Sequence, residues 1–179
     1  MAIEPYKQSL THSCLVACFL MLLKEAKGII FSATTEQNIC LKGCQRSYPF
    51  YVVGVSIEVA KFFNVRIQVI ADNTYFAGVL RKNFNKELFD VDHDKITIPL
   101  IRRLLNKGPL ICHIDDHFLG DFSHVSHFIV LEKCTEKTIV VIDPYAGKQR
   151  FMKDIQLESA IHSLKKHIKM CPLLFRIID

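Results

Sequence analysis

The chain has 179 residues, of which half are hydrophobic and 23% are charged, and its formal net charge is +5. With only seven glycines and six prolines, this composition excludes a fibrous repeat and a disordered polypeptide. Lysine and arginine are scattered along the chain without forming a basic stripe, so we expect no nucleic-acid partner. The length suits a single domain, and we expect 1–179 to form one.

The cysteine content and the N-terminal residues predict the redox setting. Seven cysteines are an odd number, and the first ten residues lack the basic leader and apolar core of a secretion signal. We therefore expect a reducing, cytoplasmic location with mostly free thiols. The longest apolar run, 14–23, is far shorter than the roughly 20 residues that a membrane-spanning helix needs, and it predicts a buried helix.

The first part of the chain, about 1–108, is predicted to be mainly helical. The apolar run predicts the first helix, which begins at Ser13 or Cys14 and is closed by Gly28. The other predictions in this part are a helix starting at Thr34, a helix Ile57–Phe63 capped by Ser56, a strand in "RIQVIAD", and a helix from Thr97 to Leu105. The segment 73–93 carries mixed signals and receives no assignment.

The second part, about 109–179, changes to short β-rich runs. These are "LICHI", "HFIVLEKC", "TIVVID" and "QRFM", followed by a helix at Asp154–Lys166 and a last strand in "CPLLFRII". Helices first and strands afterwards indicate an α+β fold, in which a helical sub-region packs on an antiparallel sheet and leaves a cleft between them.

Four residues form a candidate catalytic set. In "QSLTHSC", Gln8 stands six residues before Cys14, which lies where the positive end of the helix dipole favours a thiolate. His127 begins one predicted strand and Asp143 ends the next, so antiparallel pairing brings them to the same edge of the sheet. A cysteine nucleophile needs a base, the base needs an orienting partner, and a side-chain amide can join the Cys14 N–H as an oxyanion donor.

These motifs resemble the bacteriocin-processing peptidases, which are papain-like cysteine peptidases that remove double-glycine leader peptides. "Q-S-L-T-H-S-C" is similar to the start of that family, and "HFIVL" and "IDPYAG" are similar to its histidine strand and Asp-Pro turn. "GVSIEVAKFFNV" and "KGPLICHI" resemble its middle helix and the following Gly-Pro strand.

The resemblance implies a papain-like fold and a peptide or protein substrate cleaved after small residues, without a cofactor or metal. It also implies roles: Cys14 as nucleophile, His127 as base, Asp143 as the residue that orients His127, and Gln8 as oxyanion donor. One position departs from the family, because Leu15 stands where the family usually has glycine.

Two alternative functions remain at this stage. The stretch "CHIDDHFLGDFSHVSH" offers imidazole and carboxylate ligands for zinc or non-haem iron: His113, Asp115, Asp116, His117, Asp121, His124 and His127. The other alternative is a catalytically silent peptide-binding module of the same fold. A peptidase has a hyper-reactive Cys14, a metalloprotein carries stoichiometric metal, and a binding module has neither.

Overall fold

The computed structural model describes residues 2–45, 50–120 and 123–178, and these form a mixed α+β structure. The helices are α1 (Cys14–Lys27), α2 (Ala33–Gln45), α3 (Tyr51–Phe63), α4 (Thr74–Asn83), α5 (Ile98–Leu105) and α6 (Asp154–Ser163). The strands are β1 (Ile67–Ala71), β2 (Phe89–His93), β3 (Leu110–Asp115), β4 (Ser126–Cys134), β5 (Thr138–Asp143), β6 (Lys148–Lys153) and β7 (Leu173–Ile177). A 3₁₀ turn, Asp116–Leu119, follows β3, and a π turn, Leu164–Ile168, follows α6.

The strands form one seven-stranded sheet in the order β2-β1-β7-β3-β4-β5-β6. Every neighbouring pair is antiparallel except β1 and β2, which are parallel. The predicted α+β class and antiparallel sheet are confirmed. The strand predicted in "RIQVIAD" is β1, but the first part of the chain contributes more to the sheet than predicted, because β2 also lies there and β1 pairs with β7.

Helix α1 anchors the core and fixes the position of Cys14. All residues from Cys14 to Leu23 are buried, and α1 packs on β3, β4, α2 and α3. The ring of Phe19 meets that of Phe175 on β7 edge-on, with 5.5 Å between centroids. Full burial of one such side chain stabilises the fold by roughly 1.5–3 kcal/mol, so packing holds α1 in place. The helix closes at Gly28, in the left-handed conformation, as predicted.

Two helix starts were predicted wrongly. Helix α2 begins at Ala33, one residue before the predicted Thr34, because the hydroxyls of Ser32 and Thr35 each accept the other's main-chain N–H. Helix α3 begins at Tyr51, and Ser56 is buried inside it instead of capping its start.

The reason for the second error is tertiary packing. The stretch "YVVGV" is rich in β-branched residues, which lowers its local helix propensity, but Val53 and Val55 are fully buried in the core. Helices α2 and α3 also approach closely at Gly43, where an added Cβ would lie 2.8 Å from the Cα of Val55. Burial of this face outweighs the weak propensity of the sequence.

The segment without a sequence assignment contains α4 and β2. Asn73 caps α4 by accepting the N–H of Phe76, and Phe84 and Phe89 stack at 4.0 Å to close the turn between α4 and β2. The predicted α5 is confirmed, with Thr97 as its cap. Helix α6 ends at Ser163, and the π turn covers the residues up to Lys166 that were predicted as regular helix. Within the described ranges, none of these helices is both long and apolar enough to cross a bilayer.

Candidate active site

A cleft of about 1360 Å³ opens beside the N-terminus of α1. Its walls come from several elements and include Cys14 of α1, Tyr51 of α3, Phe76 of α4, His113 of β3 and His127 of β4. Two residues of the predicted set therefore face the same cleft.

Cys14 is the first residue of α1 and is 9% exposed. Ser13 is the N-cap residue, but its hydroxyl donates to Glu36 and accepts the N–H of Leu10, and it does not cap the helix. The first N–H groups of α1 therefore keep their partial positive charge beside the thiol. Leu15 is fully buried in the core, so the side chain that replaces the family's glycine does not enter the cleft.

His127 lies between Asp143 and Cys14. Its Nε2–H donates to Oδ1 of Asp143 at 3.1 Å, and both His127 and Cys14 line the cleft. Burial lowers the pKa of His127, but the hydrogen bond to Asp143, the interaction with Cys14 and the negative charge of Asp116 outweigh it and raise the pKa to about 10. The geometry therefore favours an imidazolium next to the thiol.

Asp143 ends β5 and is almost fully buried. Its Oδ1 also accepts the N–H groups of Tyr145 (2.9 Å) and Ala146 (3.3 Å), and its Oδ2 lies 3.2 Å from Nη2 of Arg150. Burial raises the pKa of Asp143, but the hydrogen bonds from His127 and the main chain outweigh burial and lower the pKa below its ordinary value. The carboxyl therefore stays ionised.

Gln8 lies beside the Asp-Pro turn and donates its main-chain N–H to the Pro144 carbonyl at 2.8 Å. Its side-chain Nε2 donates to the carbonyls of Leu10 (2.7 Å) and Thr11 (2.9 Å), and its buried Oε1 has no hydrogen-bond partner. The structure thus places Gln8 against the loop that leads to Cys14, with both side-chain N–H groups directed at main-chain carbonyls.

A buried carboxylate that the sequence did not reveal supports this loop. Glu36 of α2 is fully buried and accepts the N–H of Ser9 at 3.0 Å, the hydroxyl of Tyr6 at 2.6 Å and the hydroxyl of Ser13. Burial and the neighbouring Glu36 raise the pKa of Tyr6, so its hydroxyl remains a donor. The sequence showed Glu36 only as part of a helix start, since its partners are 23 to 30 residues away.

The histidines of the predicted metal stretch are bound to other protein groups. His113 donates Nδ1–H to the Cys171 carbonyl and accepts the Ser126 hydroxyl at Nε2, and burial lowers its pKa to about 4. His124 donates to Asp115 at 2.7 Å, and its ring stacks on those of His117 and His167.

No three His, Cys, Asp or Glu side chains within 2–45, 50–120 and 123–178 are arranged to hold a metal ion. Asp121 of the predicted set lies outside the described residues. The metal-binding hypothesis thus receives no support from the geometry of the remaining residues.

Comparison with known proteins gives the fold. No family model and no curated protein matches the sequence. Solved structures do match, among them the peptidase domain of Streptococcus ComA, a bi-functional ABC transporter involved in a quorum sensing pathway, and a C39-like peptidase from Bacillus anthracis. The chain has the fold of C39 peptidase domains.

The similarity to these C39 domains extends over nearly the whole chain. The ComA domain has 13% identity and a TM-score of 0.57, with 98% of this chain and 97% of that one covered. The Bacillus protein has 12% identity and a TM-score of 0.58, with 97% and 94% covered. The predicted peptidase-like fold is confirmed, and at this identity the likeness is one of fold.

Proposed function

We propose that the protein is a cysteine peptidase in which Cys14 is the nucleophile, His127 the acid and base, and Asp143 the residue that orients His127. The observation that carries this proposal is that Cys14 and His127 line the same cleft while His127 donates to the buried Asp143. The C39 peptidase fold supports the same class of reaction.

In the proposed mechanism the raised pKa of His127 keeps a proton on the imidazole and leaves Cys14 as a thiolate. The thiolate attacks the peptide carbonyl and forms a C–S bond and an oxyanion. Collapse of this intermediate breaks the C–N bond, and His127 gives its proton to the departing amine. Water then attacks the thioester while His127 takes its proton, and the carboxylic product leaves as the thiolate reforms.

The oxyanion is assigned to the N-terminus of α1. The N–H of Cys14 lacks a partner within the helix, and such a donor stabilises the intermediate by about 2.7–4 kcal/mol. Gln8 is the second proposed donor. It acts when one of its N–H groups turns from the carbonyl of Leu10 or Thr11 towards the oxyanion.

The proposed substrate is an extended peptide with small residues, such as glycine, before the cleaved bond. Support comes from the sequence resemblance to double-glycine peptidases and from the bulky rings of His12, Tyr51 and Tyr145 that line the cleft together with Cys14. Leu15 does not contribute to this selectivity because it faces the core.

The test is competitive alkylation of the seven free cysteines with a limiting amount of iodoacetamide at mildly acidic pH, followed by peptide mapping. Cys44 is the internal control because it is exposed, whereas Cys14 is largely buried. We expect Cys14 to be labelled first, since activation and not access then decides the order. Preferential labelling of Cys44 would overturn the assignment of the nucleophile.

Turnover separates the peptidase from a silent binding module. Wild-type protein is expected to cleave members of a peptide library, and Cys14→Ala is expected to bind the same peptides without cleaving them. Peptide binding by the wild type without any product would instead favour the binding module.

A further inference from the structure

Arg150 lies outside the predicted catalytic set and contacts the site from β6, the strand predicted in "QRFM". It lies on β6 opposite Val141 of β5, so it shares a face with Asp143, two residues further along β5. Its Nη2 approaches Oδ2 of Asp143 at 3.2 Å, whereas Oδ1 of the same carboxylate accepts the proton of His127. The carboxylate thus bridges an imidazole and a guanidinium.

The same guanidinium makes a second contact. Its Nη1 donates to the carbonyl of Leu119, the last residue of the 3₁₀ turn. This turn begins with Asp116, which lines the cleft and whose negative charge helps to raise the pKa of His127. One side chain therefore joins the two elements whose carboxylates act on His127.

We propose that Arg150 is a positioning residue, which fixes Asp143 against His127 and holds the Asp116 turn at the cleft. The inference rests on the proposed function, because orientation of His127 matters only if Cys14 and His127 act as a catalytic pair. Arg150 acts through Asp143 and Leu119 and does not itself face the thiol. A planar fork suits this double contact, which the single ammonium of lysine cannot reproduce.

The charges around His127 give the expected direction of the pH effect. The groups that face it are Cys14 from α1, Asp143 from β5, Asp116 from the 3₁₀ turn and His113 from β3. Arg150 holds the two elements whose carboxylates favour the imidazolium, Asp143 directly and the Asp116 turn through the Leu119 carbonyl. Its loss leaves Asp143 held by two main-chain N–H groups and the Asp116 turn without this contact, so the imidazolium becomes harder to keep.

The experiment compares wild type, R150Q and R150K by the pH dependence of Cys14 alkylation with iodoacetamide and by kcat on the best peptide of the library. In R150Q we expect the alkaline step, which reports deprotonation of His127, to move to lower pH. We also expect kcat per alkylatable Cys14 to fall about tenfold with little change in KM, as for the loss of one charge-assisted hydrogen bond. R150K should give an alkaline step and a kcat between those of R150Q and the wild type.

R103Q is the matched control. Arg103 pairs with Asp94 at 3.6 Å on the surface, with both side chains more than half exposed, and it does not line the cleft. The R103Q variant therefore loses an Arg–Asp pair that does not contact the site, and we expect it to behave as the wild type in both assays.

The outcomes separate the two proposals. A wild type without selective alkylation of Cys14 overturns the proposed function, whatever Arg150 does. A reactive, active wild type together with an R150Q variant of unchanged kcat and unchanged alkaline step overturns the role of Arg150 alone. If R150Q does not fold, R150K decides, because it keeps the charge: wild-type kcat in R150K overturns the inference.

Discussion

His127 is held between a carboxylate and a thiol and is only 6% exposed. Its folded-state pKa of about 10 lies above the ordinary value of 6.5, so its proton is retained across neutral pH and lost only in alkali. In a thiolate mechanism that proton is needed for departure of the amine. The ionisation of one buried ring therefore sets the alkaline limit of the proposed activity.

The first prediction concerns this limit. We expect kcat/KM to stay high through neutral pH and to fall as pH rises through about 10, where His127 loses its proton. Because the pKa of His127 is higher in the folded state, the stability that its protonation contributes is fully present below about pH 6.5. This stability is lost as the pH rises from there through about 10. A pH–rate profile on the best library peptide checks this, and a fall already complete near pH 7 would contradict it.

Asp143→Asn supplies the second prediction. The variant should fold, because the side-chain oxygen of asparagine can still accept the N–H groups of Tyr145 and Ala146. With the oxygen at the Oδ1 position, however, the amide nitrogen faces the guanidinium of Arg150. The opposite orientation of the amide relieves that contact but donates to Nε2 of His127 and fixes the wrong tautomer, so kcat should fall on the order of 10²–10⁴-fold. Loss of the anion also moves the alkaline limit to lower pH.

The control for this variant is Asp154→Asn, which changes a carboxylate paired with Arg102 at the start of α6. It should alter stability and leave kcat unchanged. Activity of Asp143→Asn at the wild-type level would mean that Asp143 only stabilises the turn at Tyr145 and Ala146.

The third prediction concerns Gln8. In Gln8→Ala we expect kcat to fall by about 10²–10³-fold with little change in KM, since an oxyanion donor acts mainly in the transition state. The variant also frees the carbonyls of Leu10 and Thr11, so circular dichroism and Cys14 alkylation should be measured alongside. An unchanged kcat in a folded, alkylatable variant would leave Gln8 with a purely structural role.

At the scale of elements, the sequence predicted what depends on local signals. Helix α1 follows from an apolar run that ends at the C-terminal glycine Gly28, and α5 follows from its N-cap residue Thr97. The strands from β3 to β6 follow from short β-rich runs between turns. The pairing of His127 with Asp143 was predictable too, because adjacent antiparallel strands bring a head and an end together.

What the sequence missed depends on contacts between distant segments. The early start of α3 rests on burial against α2 at Gly43, and β2 forms because β1 offers it a parallel edge. Glu36 reaches partners 23 to 30 residues away and Arg150 reaches the Leu119 carbonyl 31 residues away, and nothing in the residues beside them indicates this. Local patterns contain no information about such partners.

The fourth prediction concerns the contact between the Asp-Pro turn and the Gln8 segment. Gly147 has φ +63°, and an added Cβ would lie 2.7 Å from Cβ and 3.1 Å from Cα of Lys7. Gly147→Ala should therefore lower the free energy of unfolding by more than about 1–2 kcal/mol, the cost of the left-handed conformation alone. It should also reduce kcat, because the turn carries Asp143.

Gly78→Ala in α4 is the matched control. An added Cβ there meets nothing within 4 Å, so alanine should be neutral or stabilise by up to about 1 kcal/mol. Urea unfolding of both variants measures the difference. Equal stability of the two would show that the turn does not need its close approach to Lys7.

At the scale of the whole molecule, the sheet joins both halves of the chain. Strands β1 and β2 come from before residue 100, and β7 lies between β1 and β3. This arrangement supports the proposal that the chain is one domain, since neither half completes a sheet without the other.

The fifth prediction follows from this arrangement. Unfolding in urea should be a single cooperative transition, with far-ultraviolet circular dichroism and tyrosine fluorescence giving the same midpoint. Tyrosine is the suitable probe because the chain has five tyrosines and no tryptophan. Two separate midpoints would indicate two independently folding parts.

The place of β7 also has a consequence for the newly made chain. Of the strands described in this sheet, β7 leaves the ribosome after all the others, yet it forms hydrogen bonds with β1 on one side and β3 on the other. Until residue 177 has emerged, β1–β2 and β3–β6 have no strand between them, and each leaves an open edge. We therefore expect a nascent polypeptide stopped before β7 to carry Cys14 and His127 without assembling them, so that the thiol becomes reactive only after synthesis of β7.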